Sequence, residues 1–271
     1  MTSIDKSVFV RAANICMDGR ADEYVDGLID GKTLIIRNAG PDIASFEKSM
    51  ETIAKEYPNI KKFVIVTHNE ICGGASTGWE VLKNGLLVPK EVEAIYKNNL
   101  PGALSYTGFI AKNGIKTRED FEAMNMQLQR DVLKYVLAKY GRVVANGDIE
   151  VRYLKIKPKE HHEKTTLAIS LPTTEKYSVL QEEFKKEDLM HAYQLHAFHP
   201  EELRRHIVLA AERGILDKKG ENRIVYVPGR VENAEFEKFV SGLRTMFAEA
   251  GRKDITVATA ERTRSTNRSC C

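Results

Sequence analysis

The chain has 271 residues, of which 42% are hydrophobic and 29% are charged, and this composition is typical of a folded globular protein rather than a disordered or fibrous one. Its 41 basic and 38 acidic residues give a formal charge of +3, a surplus too small to indicate a nucleic-acid or membrane partner. The first residues lack the basic start and apolar stretch of a signal peptide, and no run of about 18 apolar residues occurs, so we expect a cytoplasmic protein.

Apolar runs separated by turn residues predict an α/β fold in the N-terminal part of the chain. Strands are predicted at 8–15, 33–37 and 62–68. A helix is predicted between the second and third of these strands, with Ser45 as its N-cap and Tyr57 near its end. The third strand has an unbroken apolar centre, which favours a parallel sheet covered by helices.

The later elements follow the same pattern. Thr117 and Asp120 predict a capping box that opens the longest helix, and Gly141 ends that helix. Further strands are predicted at 148–157, 165–171, 223–227 and 254–258, and further helices near 178–199, 200–213 and 234–250. The expected fold is therefore α/β, with a mostly parallel sheet, flanking helices and a smaller C-terminal α/β region.

The pattern restarts after Pro172, which predicts three segments along the chain. These are a first domain at 1–172, a C-terminal α/β extension of unassigned role at 173–260, and a disordered tail at 261–271. A weak internal echo links them, because Phe46-Glu47-Lys48 and Phe236-Glu237-Lys238 each lie in a predicted helix that leads to a strand. A true repeat and a common helix-to-strand pattern both explain this echo.

Cysteine, histidine and acidic residues at the ends of two predicted strands form the candidate site. Cys16, Asp18 and Arg20 follow the first strand, whereas His68 ends the third strand and Cys72 comes shortly after it. Apart from two adjacent thiols at the C-terminus, the chain has no other cysteines. A disulfide is the alternative, but two thiols and an imidazole at neighbouring strand ends suit a Cys2His zinc site.

Three motifs in this order resemble those of the β-class carbonic anhydrases. They are Cys16-x-Asp18-x-Arg20, then Arg37-Asn38-Ala39-Gly40 after the second strand, and His68 with Cys72-Gly73 after the third. The resemblance covers residues 8–85 by motif and reaches residue 171 by general pattern. It implies that 1–172 is a β-carbonic anhydrase-like zinc domain that interconverts CO2 and bicarbonate.

The resemblance also implies a role for each site residue. Cys16, His68 and Cys72 are expected to bind Zn2+, with water or the carboxylate of Asp18 as the fourth ligand. Asp18 is expected to accept a hydrogen bond that stabilises hydroxide, and Arg20 is expected to pair with Asp18 and keep it ionised. In some members of the family this Asp ligates zinc in a closed, inactive form. A homo-oligomer, either a dimer or a larger assembly, is implied as well.

Two departures from the family pattern keep alternatives open. Three residues separate His68 from Cys72 where the family has two, and Pro41 stands where the family usually has a polar residue. One alternative is a zinc enzyme that acts on another small linear molecule such as COS or CS2, because the metal ligands scarcely distinguish these substrates. The other is a carbonic anhydrase-like protein that binds zinc without turnover.

Overall fold

A computed structural model describes residues 6–18, 21, 26–28, 30–38, 43–68, 117–156, 164–172, 192–212, 216, 220–227 and 234–260. The predicted site residues Arg20 and Cys72 and the predicted tail at 261–271 lie outside these ranges. No helix in the described part of the chain is both long enough and apolar enough to cross a membrane.

Eight strands and four α-helices are present in the described ranges. In chain order they are β1 (Arg11–Cys16), β2 (Thr33–Asn38), α1 (Ile43–Glu56), β3 (Lys62–His68), α2 (Arg118–Lys139), β4 (Ile149–Leu154), β5 (Lys164–Ser170), β6 (Ala192–His196), α3 (Pro200–Glu212), β7 (Glu221–Tyr226), α4 (Ala234–Glu249) and β8 (Ile255–Thr259). The predicted capping box is confirmed, since the Thr117 side chain accepts from the Asp120 backbone and the Asp120 side chain accepts from the Thr117 backbone.

The eight strands form one sheet in the order β4-β3-β1-β2-β6-β5-β7-β8. Neighbouring strands run parallel except at β2 and β6, where Arg37 pairs with His196 in an antiparallel register. This joint divides the sheet into an N-terminal half (β1–β4 with α1 and α2) and a C-terminal half (β5–β8 with α3 and α4). The predicted α/β fold with a mostly parallel sheet is confirmed.

The two halves have the same strand topology. Counting outward from the joint, each half places its second strand first, then its first, third and fourth strands. The C-terminal region therefore contributes as many strands to the described sheet as the N-terminal region does. β5 pairs with β6 and β7 and so belongs to the C-terminal half, whereas the predicted domain boundary at residue 172 stays a prediction.

The helices α2 and α4, which connect the third and fourth strands of their halves, end in the same way. Gly141 and Gly251 follow them with φ angles of 70° and 68°, in the left-handed region that favours glycine. The next residues, Arg142 and Arg252, donate their backbone N–H groups to carbonyls five residues earlier at 2.9 and 3.0 Å. Both helices thus end in a Schellman motif with glycine at the same place.

The two arginines also make matching side-chain contacts. The guanidinium of Arg142 donates to the carbonyl of Ile60, which precedes β3, and the guanidinium of Arg252 donates to the carbonyl of Leu216, which precedes β7, at 2.8 Å. Ile60 and Leu216 are both fully buried. Each arginine therefore satisfies a backbone carbonyl at the point where the chain returns to the third strand of its half.

The sequence echo does not coincide with this repeat. α1 lies between β2 and β3, so its counterpart in the other half is α3, whereas the second copy of the echo lies in α4. Phe46 and Phe236 are both buried, because an aromatic residue on the inner face of a helix packs onto the sheet. The echo is explained by this common packing.

The two faces of the sheet belong to different hydrophobic clusters. One face packs against all four described helices, and its cluster includes Ile36, Ile65, Met50, Leu133, Leu203 and Leu243. The alternate strand residues form a second cluster on the opposite face, with members Ala13, Ile15, Ile35, Val64, Val66 and Leu154 together with Ala21 and Leu28. This division follows from the period of two along a strand.

Two predicted elements are wrong in part. Residues 192–196, predicted as the end of a helix, form β6, because pairing with both β2 and β5 satisfies the backbone and outweighs local helix propensity. The rest of that predicted helix, 178–191, lies outside the described residues. Ser45, predicted as the N-cap of α1, lies inside that helix, which begins at Ile43, and its side chain is buried.

Candidate metal centre

Cys16 and His68 are the last residues of β1 and β3, which are adjacent parallel strands. Ile15 pairs with Val66, so both site residues lie at the same edge of the sheet. A strand spacing of about 4.8 Å and a rise of about 3.3 Å per residue place their Cα atoms about 6 Å apart. Each side chain is only 3% exposed. The structure therefore places two of the three predicted metal ligands at the ends of neighbouring strands.

The two ligands approach this edge from different faces of the sheet. Cys16 belongs to the cluster on the helix-covered face, whereas His68 pairs with Leu154, a member of the cluster on the opposite face. Paired residues on adjacent strands point to the same face. A metal ion bound by both residues therefore lies beyond the strand ends rather than over either face.

Asp18 lies two residues beyond β1 and is 4% exposed. Its carbonyl accepts the backbone N–H of Ala21 at 3.0 Å, which turns the chain at this point. Asp18 also forms an isolated antiparallel bridge with Tyr193 of β6, and the backbone N–H of Gln194 donates to the carbonyl of Met17 at 2.7 Å. The acidic residue of the candidate site is thus held against the C-terminal half.

The Arg37 side chain contacts the backbone of the segment that carries Cys16. Its guanidinium is fully buried, and Nη1 donates to the Cys16 carbonyl at 3.1 Å. The strand partner of Arg37 across the joint is His196, whose side chain makes a hydrogen bond to the backbone of Ile35. Burial, together with the nearby Arg37 cation, holds the pKa of His196 well below its ordinary value, so this imidazole is neutral at pH 7.

Three buried amides form a hydrogen-bonded chain beside the site. Asn38 Nδ2 donates to Asn14 Oδ1 at 3.0 Å, and Asn14 Nδ2 donates to Gln129 Oε1 at 3.1 Å. Sequence reasoning missed this network. The signal for it was the polar pair Asn125 and Gln129, four residues apart, which interrupts the apolar stripe of α2 and is buried there.

The structure does not test the remaining members of the predicted constellation. Cys72 and Arg20 lie outside the described residues, so the third ligand and the Asp18–Arg20 pair stay predictions. Within the described ranges, no group of three Cys, His, Asp or Glu side chains lies close enough together to hold a metal ion. The predicted set of three metal ligands requires Cys72 in addition to Cys16 and His68.

The matching strand ends of the C-terminal half have different chemistry. β5 ends at Ser170 and is followed by Leu171, and β7 ends at Tyr226 and is followed by Val227. These positions offer neither a thiol nor an imidazole where β1 and β3 offer Cys16 and His68. Among the described residues, a thiol and an imidazole at the ends of first and third strands therefore occur in the N-terminal half and not in the C-terminal half.

Comparison with known proteins gives no assignment for the chain. No model of a known protein family matches it. No curated protein matches it either. The candidate site is therefore judged on its own donors: a thiol and an imidazole, both buried at adjacent strand ends, are ligand types that suit Zn2+.

Proposed function

We propose that the chain is a zinc-dependent lyase of the β-carbonic anhydrase type that interconverts CO2 and bicarbonate. The observation that carries this proposal is the position of Cys16 and His68 at the buried ends of two adjacent parallel strands, with Asp18 buried two residues further along. Cys16, His68 and Cys72 hold the metal. When bound, zinc lowers the pKa of water and so supplies hydroxide near neutral pH.

Asp18 orients the nucleophile by accepting its hydrogen bond at a carboxylate oxygen. Backbone hydrogen bonds on either side fix the segment that carries Asp18, since Met17 N–H donates to the Asn38 carbonyl and Gln194 N–H donates to the Met17 carbonyl, both at 2.7 Å. A polar group that is already held in place needs little reorganisation during the reaction. Its burial also keeps bulk water from competing for the same oxygen.

A second candidate function is zinc binding without turnover. The observation that favours it is the three-residue gap between His68 and Cys72, one residue longer than in the family that the motifs resemble. Metal binding tolerates a shifted ligand better than catalysis does, because catalytic groups must be held within about 0.5 Å of the productive geometry. COS and CS2 remain alternative substrates for the same site, since their linear shape is that of CO2.

A zinc count on reduced protein, combined with a CO2 hydration assay, tests the proposal. We expect one zinc ion per chain and hydration activity between about pH 6 and about pH 9. Cys16→Ser and Cys72→Ser should each lose the metal, whereas Cys270→Ser, which changes a thiol at the C-terminus, should keep both zinc and activity. COS and CS2 hydrolysis, measured on the same samples, ranks the three substrates.

Asp18→Asn separates the two candidate functions further. This variant should keep its zinc and lose activity by about 10²–10³-fold, because it removes an oriented charged acceptor. Stoichiometric zinc without activity in the unmodified chain would favour binding without turnover. Absence of stoichiometric zinc from a carefully reduced preparation contradicts both functions, and full activity of Asp18→Asn contradicts the role given to this residue.

A further inference from the structure

The two halves of the sheet resemble each other in more than their strand order. The helices before the fourth strands share the same glycine-terminated end, and the arginines that follow, Arg142 and Arg252, bind carbonyls at the same point of each half. Three independent features thus coincide: topology, helix termination and a side-chain contact. Common helix-to-strand packing does not require all three together, so duplication of one α/β unit explains them best.

The C-terminal half contacts the candidate site through the amino-terminal end of β6. Because β6 runs antiparallel to β2, its first residues extend past the end of β2 and reach the segment that follows β1. Two backbone contacts result, between Gln194 and Met17 and between Tyr193 and Asp18. The residues flanking a metal ligand of one half are therefore paired with a strand of the other.

A second link combines strand pairing with one side-chain contact. His196 is the antiparallel strand partner of Arg37 across the joint, and the Arg37 guanidinium donates to the carbonyl of Cys16. His196 and Arg37 are 2% and 0% exposed, so neither has room to move while the chain is folded. The imidazole also makes a hydrogen bond to the backbone of Ile35, which fixes its orientation.

We propose that the C-terminal half is a duplicate that has lost the metal-ligating strand ends and now positions the metal site of the other half, with His196 as a positioning residue for Cys16. The proposal rests on the proposed function in so far as Cys16 is a metal ligand. β6 holds Met17 and Asp18 by main-chain pairing, and His196, as the strand partner of Arg37, keeps that guanidinium against the Cys16 carbonyl. The C-terminal half of the same chain thereby closes this side of the metal site.

Replacement of His196 in the full chain tests the proposal with two readouts. In zinc-free, reduced protein, the rate at which iodoacetamide alkylates Cys16, followed by peptide mapping, should rise about tenfold in His196→Leu, because the segment opens more often. In zinc-loaded protein, chelator competition should show an affinity lowered about 10–100-fold, as for other supporting residues of metal sites. The thiolate absorption of the cobalt-substituted protein should shift as well.

His206→Leu is the matched control. His206 is also a buried histidine of the C-terminal half, at 1% exposure, but it lies on α3 rather than in the sheet. Both variants should lower the melting temperature, whereas only His196→Leu should change Cys16 alkylation, zinc affinity and the cobalt spectrum. If His196→Leu does not fold, His196→Asn, which keeps a polar side chain, should give the same three changes.

The outcomes separate this proposal from the proposed function. If no variant and no unmodified chain binds zinc, the proposed function fails, and the alkylation rate alone then decides whether β6 positions Cys16. A folded His196 variant whose Cys16 alkylation rate and zinc affinity equal those of the unmodified chain overturns the positioning role. Equal changes in the His206 control overturn it too, because they would show a general loss of stability instead.

Discussion

The two halves of the sheet share their architecture and differ in the chemistry of their strand ends. β1 and β3 end at a buried thiol and a buried imidazole, Cys16 and His68, whereas β5 and β7 end at Ser170 and Tyr226. The C-terminal half shows that strand order and helix termination do not require these polar groups. Burying a polar group costs stability unless it is paired, and the proposed metal site would give Cys16 and His68 such a partner.

The largest expected effect comes from matched truncations in the two helices that cover the halves. Leu133→Ala in α2 and Leu243→Ala in α4 each remove a buried side chain and should each lower the free energy of unfolding by about 3 kcal/mol. The helix-side cluster includes both leucines, so both variants should shift one common transition in urea. Two separate transitions, with only one shifted in each variant, would instead show that the halves unfold independently.

Removal of the two matching arginines should have the next largest effect. Arg142→Ala and Arg252→Ala leave buried carbonyls without their charged donors and should each cost about 2 kcal/mol in urea unfolding. Arg152→Ala is the control, because its partner Glu150 is exposed and the pair should contribute below about 1 kcal/mol. A loss of unfolding free energy in only one of the two arginine variants would show that the Arg142 and Arg252 contacts are not equivalent.

The glycines that end α2 and α4 provide a smaller, purely local test. A Cβ at Gly141 or Gly251 would meet no atom within 4 Å, so Gly→Ala at either position should cost about 1 kcal/mol through the left-handed backbone alone. Gly242→Ala in the middle of α4, where φ is not positive, should instead stabilise by about 0.5–1 kcal/mol. A lower melting temperature for Gly141→Ala and Gly251→Ala, together with a higher one for Gly242→Ala, would confirm this difference between the positions.

The smallest expected effect is the pH dependence that Asp254 contributes in the C-terminal half. Hydrogen bonds from Arg252 hold the pKa of Asp254 below its ordinary value. A lowered folded-state pKa stabilises the protein above the unfolded value of about 3.9, and this stabilisation is lost as the pH falls through the folded value. Asp254→Asn should therefore narrow the difference in unfolding free energy between pH 7 and pH 3 by less than about 1 kcal/mol.

The control for this prediction is Arg252→Ala, which removes the donor that lowers the pKa of Asp254 and should narrow the same pH difference. A pH difference that Asp254→Asn leaves unchanged would show that the Arg252 contact does not favour the ionised carboxylate.

Local patterns predicted most of the described elements because their signals lie within a few residues. The strand at 62–68 was predicted with its observed bounds, and the Thr117 capping box was predicted with both of its hydrogen bonds. β6 was missed because its conformation depends on β2 and β5, which are distant in sequence. The reversal of direction at the joint is likewise a property of pairing, and no local pattern encodes it.

In the candidate site, too, residues with a local signal were predicted, and residues that depend on pairing between distant strands were not. His68 ends its strand as predicted, and Cys16 ends β1 one residue beyond the predicted end, because each lies at the boundary of an apolar run. The contribution of His196 could not be predicted, since it depends on pairing between the two halves. The hydrogen bond between Asn14 and Gln129 was missed because Gln129 lies on a helix, where a polar residue is expected to face water unless its partner is already known.

The reversal of strand direction at the joint has a consequence for how the chain can evolve. Ser170, the last residue of β5, pairs with His196, which pairs with Arg37, and Arg37 in turn pairs with Ile15 of β1. The carboxyl ends of the two halves therefore lie at the same level of the sheet, and β1 and β5 are three strand spacings apart, about 14 Å. Mutations at the carboxyl ends of the C-terminal half thus fall near the candidate site, so natural selection acts on the two halves together.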